Sequence, residues 1–190
     1  ELAMRKKTKL SVRSSIKPNK SGTLVTEENS KLENNTVSGI AYSKDEAKIT
    51  LSRVLDKPGI SSRIFGPLSK GNINVDMILQ NVSQDGKYAN LSFTLPRGDL
   101  DKAIKILKKE KSSIGYQKIN SSNNISKVSV VGVGMRSHAG VAQTLFETLG
   151  KNKINIQVIT TSEIKISILI DEQFTDIAVQ KLHQAYKLHK

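Results

Sequence analysis

The chain has 190 residues, a formal net charge of +13 and an apolar fraction of 37%, with no cysteine and no tryptophan. The length allows one large domain or two small ones. The absence of cysteine excludes disulfides and thiolate metal sites and fits a reducing cytosol. No apolar run approaches the roughly 20 residues that span a bilayer, so we expect no membrane partner.

The positive charge raises the question of nucleic-acid binding, because lysine and arginine contact phosphates. The excess is mainly lysine spread along the chain, and a surface that binds bases would also use aromatic residues, which make up only 4% of the chain. We therefore interpret the charge as a solvated basic surface and predict no nucleic-acid partner. A sheet that stacks bases stays open as an alternative.

The first half of the chain begins with short predicted strands. Alternating apolar residues indicate strands over Lys9–Arg13 and Thr23–Thr26, in a stretch too poor in apolar residues to form its own core. Two further strands are predicted over Val37–Tyr42 and Ala47–Leu51, separated by a polar stretch.

The stretch Asp56–Asn81 is predicted to form a helix and then a strand. Apolar residues recur at helical spacing as far as Gly71, and they alternate over Ile73–Val82. An Asp-Gly pair then predicts a hairpin with a returning strand. An amphipathic helix and one more short strand follow.

Residues Ser137–Ser162 repeat Asp56–Asn81 without a gap at an offset of 81, so that Asn74 matches Asn155. The later helices match at an offset of 75, because the second copy is six residues shorter between its central strands. We infer a true repeat. Each copy reads strand–helix–strand–strand–helix plus one further strand, which is the ferredoxin-like βαββαβ order. This order predicts an α+β fold with two antiparallel sheets, each with its helices on one face.

The turn before the first helix is a candidate site for a free amino acid. Gly59 lets the backbone approach a ligand, and the amides of Ile60 and Ser61 point out of a helix N-terminus, where a carboxylate binds. Asp56 and Asp76 are suited to meet an ammonium group. Two amide side chains complete the set, those of Asn74 and Gln80. The alternative is that Asp56 is the helix N-cap and Asp76 an exposed strand residue.

The second copy lacks the two acids. Ser137 and Gln157 stand at the matching positions, Thr161 replaces the glutamine, and Asn155 is retained. We therefore predict that the first copy binds the ligand and that the second covers it. The residues indicate no catalytic set and no metal site, since the three histidines lack a ligand spacing and GVGMRSHAG is not a phosphate-binding loop.

Three stretches resemble the regulatory region of aspartate kinase, namely VSGIAYSKDEAKITL, DKPGISSRIFGPLSKGNINVDMILQNVS and VSVVGVGMRSHAGVAQTLFETLGKNKINIQVITTSEIKIS. The resemblance covers Thr36–Leu188, and residues 1–26 resemble the last strands of the kinase domain. It implies a remnant of the kinase domain and linker at 1–35 and ACT domains at 36–120 and 121–190. It also implies that strand 37–42 pairs into the second domain.

The resemblance further implies a module that senses lysine and/or threonine and inhibits aspartate phosphorylation in amino-acid biosynthesis. The effector would lie between the first ACT domain of one chain and the second of another, in a cytoplasmic homodimer. The implied pocket comprises Asp56, Gly59, Ile60, Ser61, Asn74, Asp76 and Gln80, with Asn155, Ile156, Thr161 and Ser162 from the facing chain.

The kinase signature of that family is absent from the sequence. We expect either a fragment or a small regulatory subunit that is inactive alone and partners a catalytic kinase domain or subunit. ATP and magnesium would belong to that kinase domain, so we expect no cofactor on this chain. A purely structural dimerisation domain with a vestigial pocket is the remaining alternative.

Overall fold

The computed structural model divides the chain into a first unit, residues 1–35, and a second unit, residues 36–190. It describes residues 3, 6, 8–17, 19–25, 36–133, 135 and 139–188. In the first unit, β1 (Leu10–Val12) pairs antiparallel with β2 (Thr23–Val25), and every residue of both strands is exposed. Thr26, where the second strand was predicted to end, lies outside the described residues.

The described part of the second unit contains six strands and five helices. The strands are β3 (Val37–Leu55), β4 (Asp76–Val82), β5 (Tyr88–Leu95), β6 (Lys118–Gly132), β7 (Val158–Thr161) and β8 (Lys165–Asp171). The helices are α1 (Ile60–Lys70), α2 (Leu100–Lys109), α3 (Lys111–Ile114), α4 (Ala139–Lys151) and α5 (Thr175–Ala185). Single 3-10 turns, Arg97–Asp99 and Glu172–Phe174, precede α2 and α5.

Strand β3 is continuous where the polarity of the sequence predicted a break. The predicted strands Val37–Tyr42 and Ala47–Leu51 are parts of this one strand, so the prediction of two separate strands is wrong. The pairing of β3 with β6 shifts register on both sides of Glu46, which marks irregularities rather than an end. Polar residues do not end a strand whose backbone groups still find partners.

The described strands of the second unit form one antiparallel sheet in the order β4-β5-β3-β6-β8-β7. The first repeat uses the trailing part of β3, and Lys118–Ser122 of β6 is its fourth strand. The second repeat uses the trailing part of β6, and Val37–Ser43 of β3 is its fourth strand. The two ferredoxin-like repeats therefore share two long central strands.

Each repeat buries its own core between its strands and its helices. In the first core, Ile49, Leu51 and Phe93 pack with Ile64 and Leu68 of α1. The second core contains Val128, Val130, Ile168, Leu145 and Leu182. Successive side chains of a strand point to opposite faces. Leu169 therefore faces away from the second core, and it packs with Met77 and Ile125. We call this side of the sheet, which lies away from the second core, the reverse face. The predicted α+β class is confirmed.

Candidate functional site

The turn between β3 and α1 is built around Gly59, the N-cap of the helix, which has a left-handed backbone (φ 86°, ψ −6°). A Cβ at this position would meet no atom within 4 Å, so the backbone conformation alone requires glycine. Ile60 anchors the helix in the first core and is 4% exposed, whereas Ser61 is exposed. The turn therefore presents a helix N-terminus at the surface on a buried anchor.

Asp56 lies beside this turn and is held in place by two hydrogen bonds. Its backbone N–H donates to the carbonyl of Lys87 at 3.0 Å, and Gln80 Nε2 donates to Asp56 Oδ1 at 2.9 Å. The alternative role as helix N-cap is wrong, since Gly59 holds that position and no side chain caps α1. The structure thus brings together five of the predicted residues: Asp56, Gly59, Ile60, Ser61 and Gln80.

Asp76 lies far from Asp56 within one chain. Asp76 pairs with Thr94 on β5, whereas the backbone of Asp56 contacts Lys87, seven residues earlier. At about 3.3 Å per residue, the separation along the sheet is about 23 Å. Strand β4 runs parallel to β3, so its first residue lies at the opposite end of the sheet from the last residue of β3. Two acids of one chain therefore cannot meet the same ammonium group.

Asp76 instead belongs to an ionic cluster on the reverse face, the Glu46–Lys127–Asp76 cluster. Lys127 Nζ lies 2.6 Å from Glu46 Oε1 and 3.0 Å from Asp76 Oδ2. The side chain of Glu46 is 7% exposed and that of Lys127 21%, whereas that of Asp76 is 57% exposed. Because Glu46 is almost buried, its charge depends on Lys127 for compensation.

The ionic cluster changes the titration of two of its members. Burial opposes the charged form of Asp76, but hydrogen bonds from Lys127 and from the N–H of Met77 outweigh burial, so the pKa of Asp76 lies below its usual range. Burial likewise opposes the charge of Lys127. Hydrogen bonds to Glu46 and Asp76 outweigh that effect and raise the pKa of Lys127.

A second contact on the same face links the repeats in the reciprocal direction. Lys48 Nζ donates to Gln157 Oε1 at 2.7 Å. Burial lowers the pKa of Lys48, and Asp171 partly opposes the effect. Gln157 occupies the position in the second repeat that Asp76 occupies in the first. Each repeat therefore contacts a lysine of the other repeat at this position. Asp76, the first residue of β4, contacts Lys127, and Gln157, just before β7, contacts Lys48.

The residues predicted from the second repeat lie around β7. Asn155 is exposed, and Ile156 is half-buried against the second core. Thr161 ends β7, and Ser162 closes the turn to β8, where its N–H donates to the carbonyl of Lys165 at 2.8 Å. Asn74 is likewise exposed in the segment before β4. Ser137, which matches Asp56, lies outside the described residues.

The sequence reasoning missed the Glu46–Lys127 pair, although the sequence carries a signal for it. The two residues are 81 positions apart (127 − 46), which is the offset of the repeat, and they have opposite charges.

Among the described residues no group of three or more potential ligands could hold a metal ion. None of the described helices is both long enough and apolar enough to cross a membrane.

The low pKa of Asp76 predicts a loss of stability in acid. A carboxylate whose pKa is lower in the folded state stabilises the protein at any pH above its unfolded-state pKa. That contribution is lost as the pH falls through the folded-state pKa. We expect Asp76→Asn to lower the urea midpoint at pH 7 and to have a shrinking effect below about pH 4. An Asn variant whose deficit is the same at pH 7 and pH 3 would contradict this role for the charge.

Comparison with known proteins gives consistent matches. The sequence profile of the ACT domain matches residues 52–110 and 128–186. An aspartokinase of Pseudomonas aeruginosa is 48% identical over 169 residues, which are 88% of this chain and 41% of that protein. The chain thus spans about two fifths of the length of that relative.

Solved structures resemble the chain in fold as well. The ligand-free regulatory subunit of aspartate kinase from Thermus thermophilus is 33% identical with a TM-score of 0.75, and the match covers 80% of this chain and 99% of that subunit. Aspartokinase III of E. coli in complex with lysine and aspartate (T-state) is 25% identical with a TM-score of 0.73, over 99% of this chain and 40% of that one.

Proposed function

The chain belongs to the ACT-domain family and carries the regulatory module of an aspartokinase, and from this we propose that it binds an end-product amino acid as a feedback inhibitor. The proposed effector is lysine, threonine or both, and the regulated reaction is the phosphorylation of aspartate in the synthesis of lysine, threonine and methionine. The lysine in the similar E. coli aspartokinase III structure supports an amino-acid effector.

One observation carries the proposal, the arrangement of Asp56 beside the turn at Gly59. The N–H of Ile60 already donates to the carbonyl of Lys57 at 3.2 Å. The helix N-terminus therefore offers the N–H groups of Ser61 and Ser62 and a partial positive charge to a carboxylate. The carboxylate of Asp56, oriented by Gln80, offers an acceptor to an ammonium group. A zwitterion carries both groups on one carbon atom. The turn therefore has a positive and a negative partner for the two charges of a free amino acid.

The predicted second half of the pocket supports a homodimer. Gln80 lies on β4 and Thr161 on β7, which are the two edges of the described sheet. Through the strand pairing, Gln80 is level with Leu51 of β3, and Thr161 is level with Ile40 of the same strand. These two levels are about 36 Å apart along β3 at about 3.3 Å per residue, too far for both residues to contact one amino acid. We infer that Asn155, Ile156, Thr161 and Ser162 of a second copy close over the turn. Asp76 begins β4 at the end away from the turn, and Asn74 precedes it. Neither would contact the effector directly.

The proposed mechanism is thermodynamic linkage. An effector held between two copies stabilises the arrangement in which it has most contacts, and this preference biases an attached kinase domain or catalytic subunit. The chain's own part is to bind and orient the effector. ATP, magnesium and aspartate would bind to the kinase partner, in the cytoplasm.

Thermal unfolding of the chain tests the proposal. Lysine or threonine, alone or together, is expected to raise the melting temperature by about 5 to 10 °C at roughly 100 times Kd. Asp56→Ala is expected to abolish the rise, because it removes the acceptor for the ammonium group. Asp101→Ala, which removes an exposed aspartate of α2, is the matched control and should keep it.

Two results would count against the proposal. If neither amino acid nor their mixture shifts the melting temperature, the chain is not an effector-binding module for them. If light scattering then shows the same dimer with and without both amino acids, the structural dimerisation domain is the better description. A shift that survives in Asp56→Ala would remove this carboxylate from the pocket.

A further inference from the structure

Two ion pairs join the repeats at positions that the repeat itself makes equivalent. Glu46 and Lys127 are separated by the offset of 81 that relates the early parts of the repeats. Arg97 and Glu172 are separated by the later offset of 75 (172 − 97). The first pair has an N···O distance of 2.6 Å and the second one of 2.8 Å.

Contact between equivalent residues locates the internal twofold axis of the second unit. Two repeats that share antiparallel central strands are related by a half-turn, so a residue and its equivalent lie at equal distances on either side of the axis. They touch only where the axis passes between them. Both ion pairs therefore lie at the axis, along the seam between β3 and β6.

Two further contacts at the seam hold Arg97. Arg97 Nη2 donates to the carbonyl of Lys44 at 2.6 Å, and the N–H of Arg97 donates to Asp45 Oδ1 at 3.0 Å. Both partners lie in the register shift of β3 next to Glu46. Arg97 is thus fixed in position at the axis.

The signs of the charges matter because the same seam could also join two first repeats or two second repeats. Two first repeats that met across this seam would place Glu46 against Glu46 and Arg97 against Arg97. Two second repeats would place Lys127 against Lys127 and Glu172 against Glu172. Only a first repeat with a second repeat brings opposite charges together at both points. Since Glu46 and Lys127 are mostly buried, solvent screens this difference little.

We propose that these two charge pairs make the β3–β6 seam selective for one first and one second ACT repeat. The seam rejects pairing of two identical repeats from different chains by like-charge contact at the axis. This selectivity is independent of effector binding. It requires only that opposite charges at the axis are favoured over like charges.

Charge exchange in the whole chain tests the proposal. Asp76→Asn is used as the background, so that Lys127 has a single acidic partner. In this background, Glu46→Lys and Lys127→Glu each place like charges at the axis and are expected to lower the melting temperature by about 5 °C or more. The variant with both changes restores an opposite pair and should regain at least half of the loss.

Lys44 and Asp176 provide the matched control. They also form an ion pair, at 2.9 Å, but they are more exposed and are not equivalent in the repeat. Exchange of these two charges, and each single reversal, should change the melting temperature by no more than about 2 °C.

The outcomes divide clearly. Recovery in the exchanged variant supports the proposal, and so does an exchanged variant that folds when the single reversals do not. The proposal is overturned if the exchanged variant is no more stable than the weaker single reversal. It is also overturned if the Lys44–Asp176 reversals have effects as large as those at the axis.

Discussion

Lys127→Met is expected to lower the free energy of unfolding by about 3 kcal/mol, because it leaves the almost buried carboxylate of Glu46 without a compensating charge. Methionine keeps most of the length of lysine, so the loss reflects charge more than packing. Asp76 also loses its partner, but it is more exposed and contributes less. Urea unfolding at pH 7 measures the effect.

Two further variants isolate the cause of this loss. Lys118→Met removes an exposed lysine from the same strand and should change the free energy by less than about 0.5 kcal/mol. Adding Glu46→Gln to Lys127→Met removes the unpaired charge and should restore part of the stability. A Lys127→Met variant as stable as Lys118→Met would show that the ionic cluster contributes little.

Phe93→Ala is expected to cost about 4 kcal/mol, because the side chain is 1% exposed in the first core and packs edge to face on Phe65, with 5.3 Å between the ring centres. Leu145→Ala in the second core should cost about 3 kcal/mol. Since the repeats share β3 and β6, each variant is expected to lower the midpoint of one common transition.

Phe146→Ala is the control for this pair of variants. Phe146 follows Leu145 on α4 but is 39% exposed, so its loss should cost clearly less. Scanning calorimetry and urea unfolding followed by circular dichroism would both register the transition. The shared-sheet description would be contradicted if unfolding showed two separate transitions and each core variant shifted only the transition of its own repeat.

The order of the elements could be predicted from the sequence because each periodic segment packs on its own repeat. Ile60, Ile64 and Leu68 form the helix face that spacing predicted, and all three are buried. The Asp-Gly hairpin links β4 to β5 as predicted. Local periodicity reports which face is buried, and this fold buries one face of every helix.

The joining of the repeats could not be predicted in the same way. Polar residues around Glu46 suggested a break, yet the strand continues because its backbone pairs with β6 across two register shifts. Pairing between distant strands leaves no local pattern. The family resemblance implied that strand 37–42 pairs into the second domain, and the equal offset and opposite charges of Glu46 and Lys127 were the sign of the seam in the residues themselves.

The candidate site was predicted in part for a related reason. Asp56, Gly59, Ile60 and Ser61 are neighbours in sequence, so a local turn was enough to bring them together. Asp76 was assigned to the same site by its residue type. Its distance from Asp56 depends on the parallel direction of β3 and β4, which only the topology of the sheet specifies.

Isothermal titration calorimetry of the whole chain with lysine, then threonine, then each in the presence of the other, is the decisive measurement of effector binding. Saturable binding of at least one of them, lost in Asp56→Ala and kept in Asp101→Ala, is the predicted result. No saturable heat with either amino acid or with both would contradict the proposed function, and so would binding of equal affinity in wild type and Asp56→Ala.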